Sequence, residues 1–123
     1  MRKIRVLWMM MLVSSAASAQ SIYVPHGFET GNDYQQMSPI EKQRYLVGVL
    51  DGFMAAPMLA VRDLPVVRAL QRCDQKMGLT DLQLRAIVDK FVEDNPERWG
   101  DDMGELVLNA MIGACRKIGA SVN

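Results

Sequence analysis

The chain has 123 residues, half of them hydrophobic, and its fourteen Lys and Arg side chains balance fourteen Asp and Glu side chains. This length is enough for one domain with one core and too short for two. Beyond the first five residues no cluster of basic side chains stands out in the sequence, so nothing indicates a nucleic-acid partner.

The first nineteen residues have the three parts of a secretory signal peptide. Basic side chains occupy three of residues 2–5, an apolar run covers residues 6–13, and residues 17–19 read Ala-Ser-Ala. The apolar run is shorter than the ~20 residues that span a bilayer, so an uncleaved membrane anchor is the less favoured alternative. We predict cleavage before Gln20, export to a bacterial periplasm and no membrane contact of the mature chain. Without residues 1–19, eleven basic residues face fourteen acidic ones, a net charge of −3.

Residues 20–37 show no sustained hydrophobic period. Pro25, Gly27 and the pair Gly31-Asn32 interrupt any regular element, so we predict an extended N-terminal arm with a turn near residues 31–32. His26, the only histidine of the chain, lies in this arm. We expect it to be exposed to solvent, without an ordered neighbour that would orient it for catalysis.

Residues 38–123 are predicted to form a helical domain. Ser38, Pro39 and Glu41 form a helix start with a capping box. Pro57 is expected to end or kink this helix. Gly48 and its neighbour one turn later, Gly52, are expected to allow close packing of another helix. The apolar stripe of the helix consists of Tyr45, Leu46, Val49, Leu50, Phe53 and Met54.

Three further helices follow in the sequence. A short helix is predicted over residues 63–72, a second over 80–94 with a capping box from Thr80 to Gln83, and a third over 103–118 with Gly119 as its C-terminal cap. The buried stripes are predicted to be Leu84, Ile87, Val88 and Phe91 in the second, and Met103, Val107, Ala110, Met111, Ala114 and Ile118 in the third. Because no alternating run of strand length appears, we predict an all-α, single-domain helical bundle.

The two cysteines, Cys73 and Cys115, are predicted to form one disulfide. An oxidising compartment favours a disulfide over a metal site, which would need three or four ligands. An antiparallel pair of helices over residues 80–94 and 103–118 would also return Cys115 to the segment before Thr80, where Cys73 lies. Two free buried thiols are the alternative.

The remaining residues predict no catalytic site, no metal site and no cofactor. Asp51 lies within an apolar helix but has no second carboxylate at a matching spacing, so we interpret it as a polar edge residue or a hydrogen-bonding partner of a neighbouring helix. Met54 and Met58 with His26 offer copper ligands, yet methionines that fill gaps in a core are far more common.

Three blocks of this chain together resemble a known family. Residues 45–52 read Tyr-Leu-Val-Gly-Val-Leu-Asp-Gly, Cys73 is followed by Gly-Leu-Thr-Asp-Leu-Gln-Leu at residues 78–84, and residues 91–98 read Phe-Val-Glu-Asp-Asn-Pro-Glu-Arg. In this order and spacing, with a late cysteine at Cys115, the blocks resemble the Tai/Rap immunity proteins of type VI secretion systems. The sequence departs from that pattern at Arg44, where the family usually has glycine.

The resemblance implies a small helical periplasmic protein that binds and inhibits a type VI secretion peptidoglycan amidase effector, protects the producing cell and catalyses nothing. The sequence leaves open whether the protein forms a homodimer. The alternative function is that of a periplasmic helical chaperone or stress-response binding protein. A redox or metal-handling protein is a third, weaker alternative.

The loop between the last two predicted helices contains the candidate partner-binding residues. These are Glu97, Arg98, Trp99, Asp101 and Asp102, and Trp and Arg are enriched among interface anchors. The alternative is that Trp99 folds back onto the core and the aspartates only start the next helix. Residues 74–78, next to the predicted disulfide, are the second candidate for the inhibitory segment.

Overall fold

The computed structural model describes residues 28–122, which form five α-helices around one core. The helices are α1 (Gly31–Gln36), α2 (Pro39–Leu59), α3 (Pro65–Met77), α4 (Asp81–Asp94) and α5 (Met103–Lys117), with a 3-10 turn at Pro96–Arg98. Within these residues the only β-type pairing is a single bridge between Thr30 and Asp102, and the prediction of an all-α fold is confirmed. The signal peptide, the cleavage site before Gln20 and His26 lie outside the described residues.

Local capping chemistry determines where the long helices start. At α2, the Glu41 carboxylate accepts hydrogen bonds from the Ser38 backbone N–H at 2.8 Å and from the Ser38 hydroxyl. At α4, Thr80 and Gln83 form the reciprocal capping box. The α2 helix continues past Pro57 and ends at Leu59. Its chain therefore turns close to the proline, as the sequence indicates.

The prediction of an extended arm up to residue 37 is wrong for residues 31–36, which form α1. Thr30 caps this helix, and the Asp33 carboxylate accepts hydrogen bonds from the Thr30 N–H at 3.0 Å and the Thr30 hydroxyl at 2.6 Å. Tyr34 is completely buried. A helix this short is not stable on its own, so its capping box and the burial of Tyr34 against other helices supply the stabilisation.

The core lies where α4 packs against α2 on one side and α5 on the other, with α3 closing the end. In α4 the fully buried positions are Leu84, Val88 and Val92, spaced four residues apart. Ile87 and Phe91, which the sequence places on the buried stripe, are only half-buried. The buried face of α4 is therefore rotated toward α2. Its residues lie about one position later in the sequence than those of the predicted stripe.

Cys73 and Cys115 form the predicted disulfide. Their Cα atoms are 5.7 Å apart, and both side chains are completely buried. The bond joins α3 to α5 across the core, and the described residues contain no free cysteine. Because a long loop is closed, the cross-link restricts the unfolded chain and stabilises the folded domain.

The two glycines of α2 do not have the predicted packing role. Gly48 and Gly52 are exposed, and a Cβ atom built at either would meet no atom within 4 Å. Asp51, between them in the sequence, is also exposed. This side of α2 faces solvent, because the helix uses its opposite side, around Leu46, to contact the core.

Candidate functional site

The loop predicted to bind a partner is fixed to the N-terminal segment of the domain. Gly31 donates its backbone N–H to the Asp101 carbonyl at 3.1 Å, and Asn32 donates to the Trp99 carbonyl at 2.8 Å. In the other direction, Met103 donates to the Glu29 carbonyl at 2.7 Å. The segment before α1 and the loop before α5 therefore form one hydrogen-bonded unit.

Gly31 permits this close approach. A Cβ atom at this position would lie 2.9 Å from the Trp99 Cα and 3.0 Å from the Trp99 carbonyl oxygen. Both are backbone atoms, which cannot move aside like the end of a flexible side chain. The turn at Gly31-Asn32 in the sequence therefore marks a packing contact between α1 and the loop.

Trp99 is turned inward. Its indole Nε1 donates a hydrogen bond to the Val92 carbonyl at 2.8 Å, and its ring packs against the hydrophobic core. Of the two interpretations of this residue, the geometry corresponds to the one in which Trp99 folds back onto the core.

Arg98 is bound to acidic residues of its own chain. Its Nε lies 2.8 Å from the Asp101 carboxylate and one terminal nitrogen lies 2.7 Å from the Glu105 carboxylate. The guanidinium also lies 5.8 Å from the centre of the Phe91 ring. The hydrogen bond that Arg98 donates to Asp101, with the negative charges of Asp101 and Glu105, raises the pKa of Arg98. Any partner that binds Arg98 has to compete with these contacts.

Two of the three carboxylates of the loop remain available to a partner. Glu97 and Asp102 are exposed, and Asp101 is partly exposed beside Arg98. All five predicted residues thus lie in one loop, but they divide into two groups. Arg98 and Trp99 hold the loop in shape, while the acidic residues form its outer surface.

The second candidate segment, residues 74–78, is not a loop. It forms the last turn of α3, which continues to Met77, and its end is capped by Gly78 in the left-handed conformation with φ of 59°. The Gly78 N–H donates to the Asp74 carbonyl at 2.9 Å. A helical turn held next to the disulfide has less reach into a cleft than a connecting loop.

The connection between α2 and α3 carries the most exposed apolar side chains among the described residues. In this α2–α3 turn (residues 58–62, the last two residues of α2 and the three that follow), Met58 is 81% exposed, Leu59 86% and Val61 102%. Sequence reasoning missed this segment because it used Pro57 only as a helix terminator. The signal was available: Pro57 is followed by four consecutive apolar residues, which a connecting loop does not need for folding.

The surroundings of the α2–α3 turn are basic. Arg62 lies in this turn and is exposed, while Arg68 pairs with Asp63 at 2.7 Å. Residues 58–68 therefore carry one more positive than negative charge. The loop at residues 97–102 has the opposite sign, because its one arginine is held by two carboxylates.

A polar network joins α1, α2 and α4. The Tyr34 hydroxyl donates to the Asp89 carboxylate at 2.8 Å, and Lys42 and Arg85 lie 3.5 and 3.7 Å from that carboxylate. The Lys42 ammonium also lies 4.7 Å from the centre of the Tyr34 ring. Burial, with the hydrogen bond to Asp89, raises the pKa of Tyr34 well above its ordinary value. The network is fully paired, and its position shows a role in holding the three helices together.

Within residues 28–122, no group of three or more His, Cys, Asp or Glu side chains is arranged to hold a metal ion. No helix in this part of the chain is long and apolar enough to cross a membrane. Comparison of the chain with protein-family models, curated proteins and solved structures finds no match.

Proposed function

We propose that this protein is an exported immunity protein that binds and inhibits a peptidoglycan amidase delivered by type VI secretion. The resemblance of the three sequence blocks to the Tai/Rap family supports the class of partner. The all-α fold and the buried disulfide agree with the small, oxidised helical domain that this resemblance implies.

The observation that carries the proposal is the exposure of Met58, Leu59 and Val61 on one short turn. Exposed apolar patches on a soluble domain mark interaction sites. Burial of each such side chain contributes about 1.5–3 kcal/mol, against an association cost of at least about 4 kcal/mol. Three adjacent anchors therefore offset a large part of an association cost that ranges from about 4 to 15 kcal/mol, and further contacts have to supply the rest. A turn of this shape also suits an amidase active site, which is concave.

The acidic loop at residues 97–102 is a separate contact surface in this proposal. Tyr45 lies near this loop, since the charge of Asp102 contributes to raising its pKa, after the larger effect of burial. From Tyr45 to Leu59 the α2 helix extends roughly 21 Å at the usual rise per residue. One small cleft cannot enclose both surfaces. We propose that the turn inserts and that the Glu97 and Asp102 carboxylates contact the rim of the partner.

The experiment compares serine substitutions at exposed aliphatic residues, using calorimetric affinity for the cognate amidase, whose gene the proposal expects beside this one. Leu59→Ser and Val61→Ser should each weaken binding by about tenfold, the equivalent of ~1.4 kcal/mol, with unchanged thermal unfolding. Leu82→Ser is the matched control, because Leu82 is an exposed leucine (57%) on α4, away from the turn. Glu97→Ala with Asp102→Ala should have a smaller effect that decreases with added salt.

Three results would count against the proposal. Equal loss of affinity in the Leu82 control would show that the α2–α3 turn is not the anchor. Absence of binding to any cell-wall amidase would remove the immunity function. Weak binding to many unfolded proteins, in place of one amidase, would favour the chaperone alternative.

A further inference from the structure

The outward side of α2 is an exposed helix face that the amidase proposal does not use. We call it the α2 face, and its exposed residues are Ile40, Arg44, Val47, Gly48, Asp51 and Gly52. At about 3.6 residues per turn they share one side of the helix, opposite the buried Leu46. Ile40 is 54% exposed and Val47 39%, so the face combines apolar side chains with one basic and one acidic residue.

The two charged residues of the α2 face have no ion-pair partner within residues 28–122. Neither Arg44 nor Asp51 takes part in any salt bridge of this part of the chain. Glu41 lies at the edge of the face, but its carboxylate accepts the capping hydrogen bonds of Ser38. Asp81 lines the same hollow as Arg44 and forms no salt bridge with it. Both charges of the face are therefore free to bind opposite charges from outside.

Asp51 borders an acidic hollow between α2, the end of α3 and the start of α4. Asp74 and Asp81 line this hollow with Asp51, and no basic side chain of the described residues lines it. A guanidinium group that reached Asp51 from outside would therefore meet a surface of consistently negative charge. An arginine on the face of a partner fits this position.

The spacing of the two charges makes the α2 face complementary to itself. Arg44 and Asp51 are seven residues apart, about two helical turns. In an antiparallel pair with a twofold axis between Val47 and Gly48, Arg44 of each copy lies opposite Asp51 of the other, and Val47 lies opposite Gly48. A parallel pair would place like charges together. Twofold interfaces have this reciprocal matching, because residue i contacts j and residue j contacts i.

The glycines allow two such helices to approach each other. A Cβ atom at Gly48 or Gly52 would meet no atom of its own chain within 4 Å, so the centre of the face is low and open. The Val47 side chain of a second copy fits over Gly48. Small residues one turn apart reduce the distance between packed helices, toward about 8 Å between their axes.

This packing leaves the α2–α3 turn uncovered. In the commonest class of helix packing the axes cross at about 50°. Met58 lies about 16 Å along α2 from the proposed twofold axis, and at that distance the two helix axes have separated to roughly 16 Å. Helices in contact are only about 8–10 Å apart. The α2 face and the proposed amidase anchor are therefore separate surfaces.

We infer that the α2 face binds a second copy of this chain, in an antiparallel twofold pair with an Arg44–Asp51 ion pair on each side of the central Val47–Gly48 contacts. The contact involves about four turns of one helix, so the interface is small and its Kd should be about 10–100 µM. Dilute protein is then monomeric, and unfolding measured on it describes a single chain.

The test is sedimentation of the purified protein and of charge-reversed variants, over concentrations on both sides of this Kd. Arg44→Asp and Asp51→Arg should each weaken self-association by at least about tenfold, because like charges then face each other. An equimolar mixture of the two variants should form the dimer again, since opposite charges face each other in the mixed pair. Arg116→Asp, at an exposed position on α5, controls for the change in net charge and should leave self-association unchanged.

A substitution at the apolar centre gives a second readout. Val47→Ser should weaken self-association by at least about tenfold, because the lost contact counts once in each copy. Val66→Ser is the matched control, because Val66 is similarly exposed (36%) but lies on α3. Thermal unfolding of each dilute variant shows that it is folded.

The inference is overturned if the protein sediments as a monomer up to roughly 1 mM. A dimer that is insensitive to Arg44→Asp and Asp51→Arg, or a mixture of these variants that stays monomeric, would place the interface elsewhere and overturn it as well. These measurements require no amidase, so their failure is distinct from failure of the immunity proposal.

Discussion

The indole Nε1 of Trp99 donates a hydrogen bond to the Val92 carbonyl oxygen at 2.8 Å, which replaces a helical bond that the sequence prevents. In a continuing helix this carbonyl would accept the N–H of residue 96, but that residue is proline and has no N–H. The carbonyl also accepts the Asn95 N–H at 3.3 Å, so the indole gives it a second hydrogen bond and ties the following loop to the core.

Trp99 is accordingly expected to contribute to stability. Trp99→Ala should lower the free energy of unfolding by about 2–4 kcal/mol, through lost packing and the lost hydrogen bond. Trp99→Phe keeps most of the packing and should cost about 1 kcal/mol. Urea denaturation of both variants measures these values. If Trp99→Ala keeps the stability of the unchanged protein and loses partner affinity, then Trp99 is a contact residue.

Replacement of glycine by alanine should have opposite effects on the stability of the protein at two positions. Gly31→Ala brings a Cβ to within 2.9 Å of the Trp99 backbone and should destabilise the protein by about 1–3 kcal/mol. Gly48→Ala, in the exposed middle of α2, meets no atom and should stabilise the protein by about 0.5–1 kcal/mol through helix propensity. Thermal unfolding of the two variants tests this. Destabilisation by Gly48→Ala would mean that this face of α2 is covered.

The disulfide should contribute a large part of the stability. Replacement of both Cys73 and Cys115 by serine is expected to lower the free energy of unfolding by about 2–5 kcal/mol. The helices should largely remain, because the Ser38–Glu41 and Thr80–Gln83 capping boxes do not depend on the bridge. Circular dichroism and denaturant titration measure both effects. An unchanged denaturation midpoint would show that the bridge closes a region already rigid without it.

Ionisation of Tyr34 should make the domain less stable in alkali. Its folded-state pKa is raised above the ordinary value of 10.0 by burial and by the hydrogen bond to Asp89. The stabilisation is therefore fully present below pH 10.0 and is lost progressively as the pH rises further, because Tyr34 ionises more readily in the unfolded chain. Tyr34→Phe should remove this part of the pH dependence.

At neutral pH, Tyr34→Phe should cost about 1–2 kcal/mol, because it removes a hydrogen bond to a charged acceptor. Tyr45→Phe is the control at neutral pH, since it leaves the contact between Tyr34 and Asp89 intact; in alkali it should remove its own part of the decline, because burial also raises the pKa of Tyr45. Denaturant titrations from neutral to alkaline pH give both quantities. An identical decline in alkali for the unchanged protein and Tyr34→Phe would contradict the assignment.

Export and oxidation are tested on one sample, by its intact mass and by thiol titration. Protein isolated from the periplasm should have the intact mass of a chain that starts at Gln20 and should contain no titratable thiol. A retained N-terminus would mean that residues 1–19 act as an anchor, which is the alternative left open by their sequence. Two reactive thiols would contradict the disulfide.

The sequence by itself determined the features that depend on nearby residues. The starts of α2 and α4 follow from capping boxes, in which donor and acceptor are three residues apart. The disulfide was also predictable, because two helices of similar length joined by a short loop return Cys115 toward Cys73. These relationships need only helix geometry and chain connectivity.

Only the tertiary structure decided the features that depend on distant partners. The short helix α1 forms because Tyr34 is buried against α4, and Gly31 is needed because the backbone at Trp99 lies beside it. Solvent reaches Met58, Leu59 and Val61 because none of the helices α1 to α5 covers the α2–α3 turn. An apolar residue looks the same in the sequence whether it packs in a core or lies exposed on the surface. Only its neighbours in space distinguish the buried residue from the exposed one.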